Sequence, residues 1–119
     1  MRFLLFIFVL FFIVSCSKQK KIYKKIEGTW TFVKQINVDG SEEVKNDIYI
    51  FQEGSSTDGL PLFIYGSDTT ELVYTVNKKG DEVKFSDPND TLSEVWRIDF
   101  LDKDMLVLKT GYAFQIFER

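Results

Sequence analysis

From Thr29 onward the chain is broken into short runs rich in β-branched and aromatic residues, with turn residues returning every 8 to 14 positions. That rhythm constrains the fold more than any other feature, because runs this short suit strands and leave no room for long helices. Eight runs can be read: 29–37 (TWTFVKQIN), 44–52 (VKNDIYIFQ), 60–65 (LPLFIY), 71–77 (ELVYTVN), 82–86 (EVKFS), 92–100 (LSEVWRIDF), 105–109 (MLVLK) and 112–118 (YAFQIFE). No window of twelve residues keeps a helical period.

The segments between the runs are VDGSEE, EGSSTDG, GSDTT, KKGD, DPNDT, LDKD and TG. Gly, Asp, Asn and Ser bend the chain by relaxed φ or by side-chain bonds to the backbone, and Pro88 in DPND suits the second place of a type I turn. NKKGD and LKTGY have the form of tight hairpins. Several runs alternate. Val83 and Phe85 oppose Glu82 and Lys84; Trp96, Ile98 and Phe100 oppose Arg97 and Asp99; Leu72, Tyr74 and Val76 share a face. Pro61 marks the third run as an edge or a bulge, since proline cannot donate to a ladder. One-sided strands with short connections predict an all-β fold, an eight-stranded antiparallel up-and-down meander. Closure into a small barrel removes its exposed edges.

Ahead of the strands lies a different kind of segment. Arg2 is followed by twelve apolar residues, 3–14 (FLLFIFVLFFIV), and then by Ser15 and Cys16, the single cysteine. Twelve residues fall short of the roughly 20 that a membrane span needs, whereas a positive start and a short apolar core are the marks of a secretory signal. Ile13-Val14-Ser15-Cys16 resembles the lipobox of bacterial lipoproteins at all four positions. The resemblance implies cleavage after Ser15, a thioether to diacylglycerol at Cys16, and acylation of the new amino group. A thiolate is the side chain suited to that alkylation, and stable anchoring takes more than one acyl chain. The alternative is an ordinary signal that happens to end beside a free thiol. With no second cysteine, no intramolecular disulfide can form.

The expected organisation is a signal peptide over 1–15, a basic flexible tether over 16–25 and a barrel domain over 26–119. Lys18, Lys20, Lys21, Lys24 and Lys25 crowd the tether. The fifteen basic residues less Arg2 and those five leave nine beyond it, against eighteen acidic ones. A basic stretch beside an anchor is drawn to anionic headgroups or is simply a solvated linker; both readings stand. The acidic domain argues against nucleic acid, which needs a basic face.

Gly28-Thr29-Trp30, opening the first of eight meandering strands, resembles the G-x-W start of the lipocalins. The ending, DKDMLVLK, a hairpin and an aromatic strand closing in Arg119, resembles the small lipocalin-like domains of Bacteroidetes-type lipoproteins. The likeness implies a barrel in which an arginine from the last strand packs on that tryptophan, here Arg119 on Trp30. This chain departs from ordinary lipocalins by stopping at its last strand, with no helix after it. An eight-stranded barrel is just wide enough to be filled by side chains or to hold one small ligand.

The chain has no histidine. That removes His-based triads, Cys–His pairs and the usual zinc sites, so no catalytic residue, metal or cofactor is expected. Turn aspartates such as Asp87, Asp90, Asp102 and Asp104 more often satisfy backbone amides than perform acid–base work, which requires burial. Neither DPND nor VDGSEE has the spacing of a calcium loop. The reading is a non-enzymatic binding module of the cell envelope, tethered to membrane through Cys16, the outer membrane being favoured. Its ligand would be a small apolar molecule or an envelope protein. The alternative is an accessory subunit of an outer-membrane complex or an inhibitor of a secreted hydrolase. The criterion between them is whether Tyr74, Phe85, Trp96, Phe100 and Phe114 fill the interior. Two runs are apolar on both faces, so Tyr49, Phe51, Phe63 and Tyr65 are expected to form an outward, partner-facing patch, unless KIYKKIEG folds back as a cap over them.

Overall fold

The computed structural model describes residues 18–54, 58–89 and 91–119. Ser15 and Cys16 therefore lie outside the described residues. A helix, α1, covers 18–26. Nine strands follow: β1 Gly28–Asn37, β2 Glu42–Val44, β3 Ile48–Phe51, β4 Leu60–Tyr65, β5 Thr69–Val76, β6 Glu82–Ser86, β7 Ser93–Leu101, β8 Met105–Lys109 and β9 Ala113–Glu118. All pairings are antiparallel and join neighbours in sequence, except that β3 pairs β1 instead of β2, and β1 returns to β9. The register runs from Thr31↔Glu118 to Asn37↔Ala113. The sheet is thus a closed eight-stranded barrel with one extra strand.

That extra strand comes from a break in the second run. β3 pairs the first half of β1 (Thr31↔Ile48) and β2 the second half (Lys34↔Val44), so the two lie end to end along one edge of β1. Between them, Lys45 N–H donates to Val33 O at 2.8 Å and Phe32 N–H to Asp47 O at 2.8 Å, which keeps the ladder bonded across the gap. Val33 is also bulged against β9, where the register shifts between Phe32 and Lys34. A bulge changes the inward set: Trp30 and Phe32 point in before it, Gln35 and Asn37 after it.

A second bulge falls in β7, between Ile98 and Phe100. It corrects the expected alternation of that strand. Trp96 is buried and Ile98 packs on the core, but Phe100 is turned outward and Leu101 takes the inward place. Pro61 is not on an edge, for β4 is paired on both sides. Its carbonyl accepts from Gln52 N–H just past the end of β3, and the bond that a residue with an N–H would return to Gln52 O is supplied instead by the Tyr74 hydroxyl.

Residues 18–25 are not a flexible tether. They belong to α1, whose Gln19, Ile22, Tyr23 and Ile26 recur at helical spacing and turn inward, with Tyr23 and Ile26 fully buried. Nine residues are too few to register in a twelve-residue window. The lysines stand on the outer face. Isolated, the described residues 18–26 would not persist as a helix in water; the barrel supplies what holds them. The helix covers the end where β1 begins; the opposite end of the barrel, at the β1–β2, β4–β5, β6–β7 and β8–β9 turns, is the mouth. Among the described residues no helix is long and apolar enough to cross a membrane.

Candidate functional site

The closed end is built around Trp30, which is fully buried in β1. Its Nε1–H donates to the Ile26 carbonyl at 2.8 Å. The Arg119 guanidinium carbon lies 4.0 Å from the Trp30 ring centroid. Arg119 Nη2 donates to Lys25 O and Nη1 to Glu27 O, both at 2.9 Å, and Nε donates to Lys103 O at 2.6 Å. The last carbonyls of a helix have no partners within it, and a cation there also meets the negative end of the helix dipole. Trp30 and Arg119 together satisfy three successive carbonyls and fasten α1 to the barrel. Gly28 has φ +113°, which L side chains rarely adopt, so the chain can pass from helix to strand directly beneath Arg119. The end of β9 needs no bulge to bring the arginine in. The inward set of β9 is Ala113, Gln115 and Phe117, and Arg119 continues it.

At the far side of α1, the Tyr23 hydroxyl accepts from Val76 N–H at 3.0 Å and Gln19 Nε2 donates to Val76 O at 2.8 Å. Tyr23 tilts against Tyr74 with centroids 5.9 Å apart. From there rings interlock through the barrel. Phe51 meets Tyr74 edge-on at 4.9 Å, Phe32 stacks on Phe117 at 4.8 Å, and Tyr49 meets Phe117 at 4.9 Å. Phe85 and Trp96 complete the filling with Leu62, Leu106 and Leu108. Of the five aromatics that form the criterion, Tyr74, Phe85 and Trp96 occupy the interior. Phe100 and Phe114 do not: Phe114 faces outward, with Lys109 Nζ 5.2 Å from its ring centroid.

Above this apolar plug the mouth is polar. Gln115 Nε2 donates to Gln35 Oε1 at 3.4 Å, and Gln35 Nε2 donates to Asn37 Oδ1 at 2.9 Å and to Glu43 Oε2 at 3.3 Å. The Tyr112 hydroxyl donates to the Glu94 carboxylate, and its ring meets Trp96 edge-on at 5.9 Å. Sequence reasoning missed this rim. Its one visible signal was Gln115, which shares a face with Ala113 and Phe117, but Phe114 and Ile116 gave the opposite face the stronger apolar claim.

The four aromatics expected as one outward patch are divided. Phe51 is buried and Tyr49 packs on the core; both point inward. Phe63 and Tyr65 point outward, paired with Ile50 and Ile48 across the β3–β4 ladder. The outward apolar row is thus Ile48, Ile50, Phe63 and Tyr65. The reason is parity: the aromatic members of β3 and β4 occupy opposite faces, because Tyr49 pairs Ile64 and Phe51 pairs Leu62. KIYKKIEG does fold back, but as a lid on the barrel end.

Turn carboxylates serve their own backbone. Asp102 accepts from Asp104 N–H at 2.8 Å and Met105 N–H at 2.7 Å, which holds its carboxyl below the usual range. Asp39 is lowered likewise, by the Ser41 hydroxyl and amide. Among the described residues no group of three or more Cys, Asp or Glu is placed to hold a metal ion. An open dent of about 340 Å³ lies beside Arg119, walled by Phe100, Asp102, Asp104, Met105 and Glu118.

Burial raises the pKa of Tyr74 and of Tyr49, the latter helped by the charges of Asp47 and Glu94; Tyr23 is raised by burial as well. A raised folded-state pKa favours the neutral phenol in the fold. That stability is complete below the unfolded tyrosine pKa of about 10 and is lost as pH climbs above it. The expected result is a loss of stability beginning near pH 10, with the buried tyrosinates appearing in ultraviolet absorbance only as near-ultraviolet dichroism disappears. Free titration of all five tyrosines in a chain that keeps its dichroism would contradict the burial.

No family model matches the chain, and no curated protein matches it. Two solved structures are similar. A lipocalin-like protein from Bacteroides uniformis superimposes with a TM-score of 0.60 at 20% identity, over 80% of this chain and 98% of that one. An uncharacterized protein from Bacteroides eggerthii gives 0.59 at 13% identity, over 78% and 98%. With its ring of eight strands closed by β1 and β9, the chain has a lipocalin-like fold.

Proposed function

We propose that the protein is a lipid-anchored, non-enzymatic binding module of the bacterial cell envelope that engages an envelope partner rather than storing an apolar molecule. The observation that carries this choice is the interior. Rings from Tyr23 through Tyr74, Phe51 and Tyr49 to Phe117 and Phe32 are in contact, and Phe85 and Trp96 are buried in the same core, so side chains occupy the described interior where an apolar ligand would sit. The surfaces left to a partner are the polar mouth and the outward row of Ile48, Ile50, Phe63 and Tyr65. An accessory role in an outer-membrane complex fits the same features. Native mass spectrometry of the protein taken from its own cells is expected to show the acylated chain, by itself or with a protein partner, and no small apolar passenger. A stoichiometric apolar passenger would reverse the choice.

The anchor rests on Ile13-Val14-Ser15-Cys16. Cys16→Ser is expected to abolish incorporation of labelled palmitate and to leave the precursor uncleaved. Continued labelling of that variant would end the lipoprotein reading.

A further inference from the structure

Folding turns the lysines after Cys16 into a surface with a fixed direction. Lys18, Lys20, Lys21, Lys24 and Lys25 are all exposed on the outer face of α1, while its inner face is locked to the barrel by Tyr23, Ile26 and Gln19. The β5–β6 turn adds two more cations, Lys78 and Lys79, both exposed. That turn is pressed against the first turn of the helix. A Cβ on Gly80 would fall 3.0 Å from Ile22 Cγ1 and 3.3 Å from the Lys18 carbonyl. Seven lysines from two elements therefore share the closed end. Acidic residues stand at both ends: the closed end carries Glu27, Glu53, Asp58, Asp81, Asp102 and Asp104 beside these lysines, Lys103 and Arg119, whereas the mouth carries Asp39, Glu42, Glu43, Asp47, Asp68 and Glu94 with fewer cations among them.

We propose that α1 and the β5–β6 turn form a lysine platform for anionic lipid headgroups, which seats the barrel with its closed end on the bilayer and its acidic mouth directed away. The proposal rests on acylation of Cys16. Only Ser17 separates Cys16 from Lys18, and two steps of chain reach at most about 7 Å. The Debye length at physiological salt is about 8 Å, so the anchor holds the platform within range of headgroup charge. The same surface repels the acidic mouth, which gives the orientation its sign. A merely solvated lysine face would leave the barrel free to tumble about its anchor.

The test uses protein extracted from its own membrane fraction, carrying Lys103→Cys in the β7–β8 turn at the closed end or Gly111→Cys at the mouth. A Cβ at Gly111 meets nothing within 4 Å. Each is labelled with a maleimide donor dye and reconstituted into phosphatidylcholine vesicles, with or without phosphatidylglycerol, holding an acceptor dye on the headgroups. Energy transfer from position 103 is expected to exceed that from 111 severalfold in phosphatidylglycerol vesicles. The contrast should fall by at least half in high salt, in pure phosphatidylcholine, or when Lys20, Lys21 and Lys24 are replaced by Gln. Equal transfer from both positions overturns the platform, as does a contrast indifferent to lipid charge, salt and lysine removal. The anchor is read separately from the intact mass. One dye per chain means that Cys16 is blocked by lipid, and two dyes mean that it is free and the anchor reading has failed.

Discussion

Phe51→Ala is expected to destabilise the protein by about 3 to 5 kcal/mol, the usual cost of emptying a buried aromatic site, while Phe63→Ser costs less than about 1 kcal/mol. The two phenylalanines sit on adjoining strands in similar sequence surroundings, yet only Phe51 is inside. Its ring lies among Tyr74, Phe85 and Tyr49, at centroid distances of 4.9, 6.3 and 6.3 Å. Those rings are held on three different strands, which limits how far they can collapse into the gap. Small domains are stable by only about 5 to 15 kcal/mol, so Phe51→Ala should remove a large share of the transition midpoint in urea. Comparable midpoints for the two variants would mean that the inward and outward faces of β3 and β4 have been exchanged.

Arg119→Ala is expected to cost about 1 to 3 kcal/mol. This range combines a cation–π contact with charge-assisted hydrogen bonds that are discounted for their exposure to water. The loss should be local before it is global. Without the guanidinium, the carbonyls of Lys25 and Glu27 lose their partners and the Trp30 ring loses its cover. Amide exchange in 18–26 should quicken by tenfold or more, ahead of exchange in the strands. Arg119→Lys should not rescue it, because an ammonium cannot reach three carbonyls in three directions as the planar fork does. If the lysine variant restores protection of the helix, the fork geometry is irrelevant and the charge alone acts. A uniform loss of protection over helix and strands would instead make Arg119 part of barrel closure rather than a fastening for the lid.

The strand content, the order of the strands and the closure of the ring were legible in the residues. Alternation of period two and turn chemistry at Gly, Asp and Asn are local properties, and they specify where a strand starts and stops without knowledge of its neighbours. The contact of Arg119 with Trp30 was implied by the resemblance of Gly28-Thr29-Trp30 to the lipocalin start, and it is compatible with a closed antiparallel ring, which brings the two ends of the meander together. Which face of a strand is inside was legible only where one face is polar, as in β6. In β3, β4 and β9 both faces carry apolar side chains, and the choice was made by register: Phe51 follows Leu62 inward, and Gln115 follows Leu108. The bulges at Val33 and Asp99 each shift that choice by one residue, sending Gln35 in and Phe100 out. A bulge is a mismatch between two strands and has no signature in either alone. The lid, too, was decided by tertiary structure. Residues 18–25 are lysine-rich and too short to hold a helix by themselves. They are helical because Tyr23 and Ile26 find an open barrel end to fill, and because Trp30 and Arg119 supply the hydrogen bonds that their last carbonyls lack.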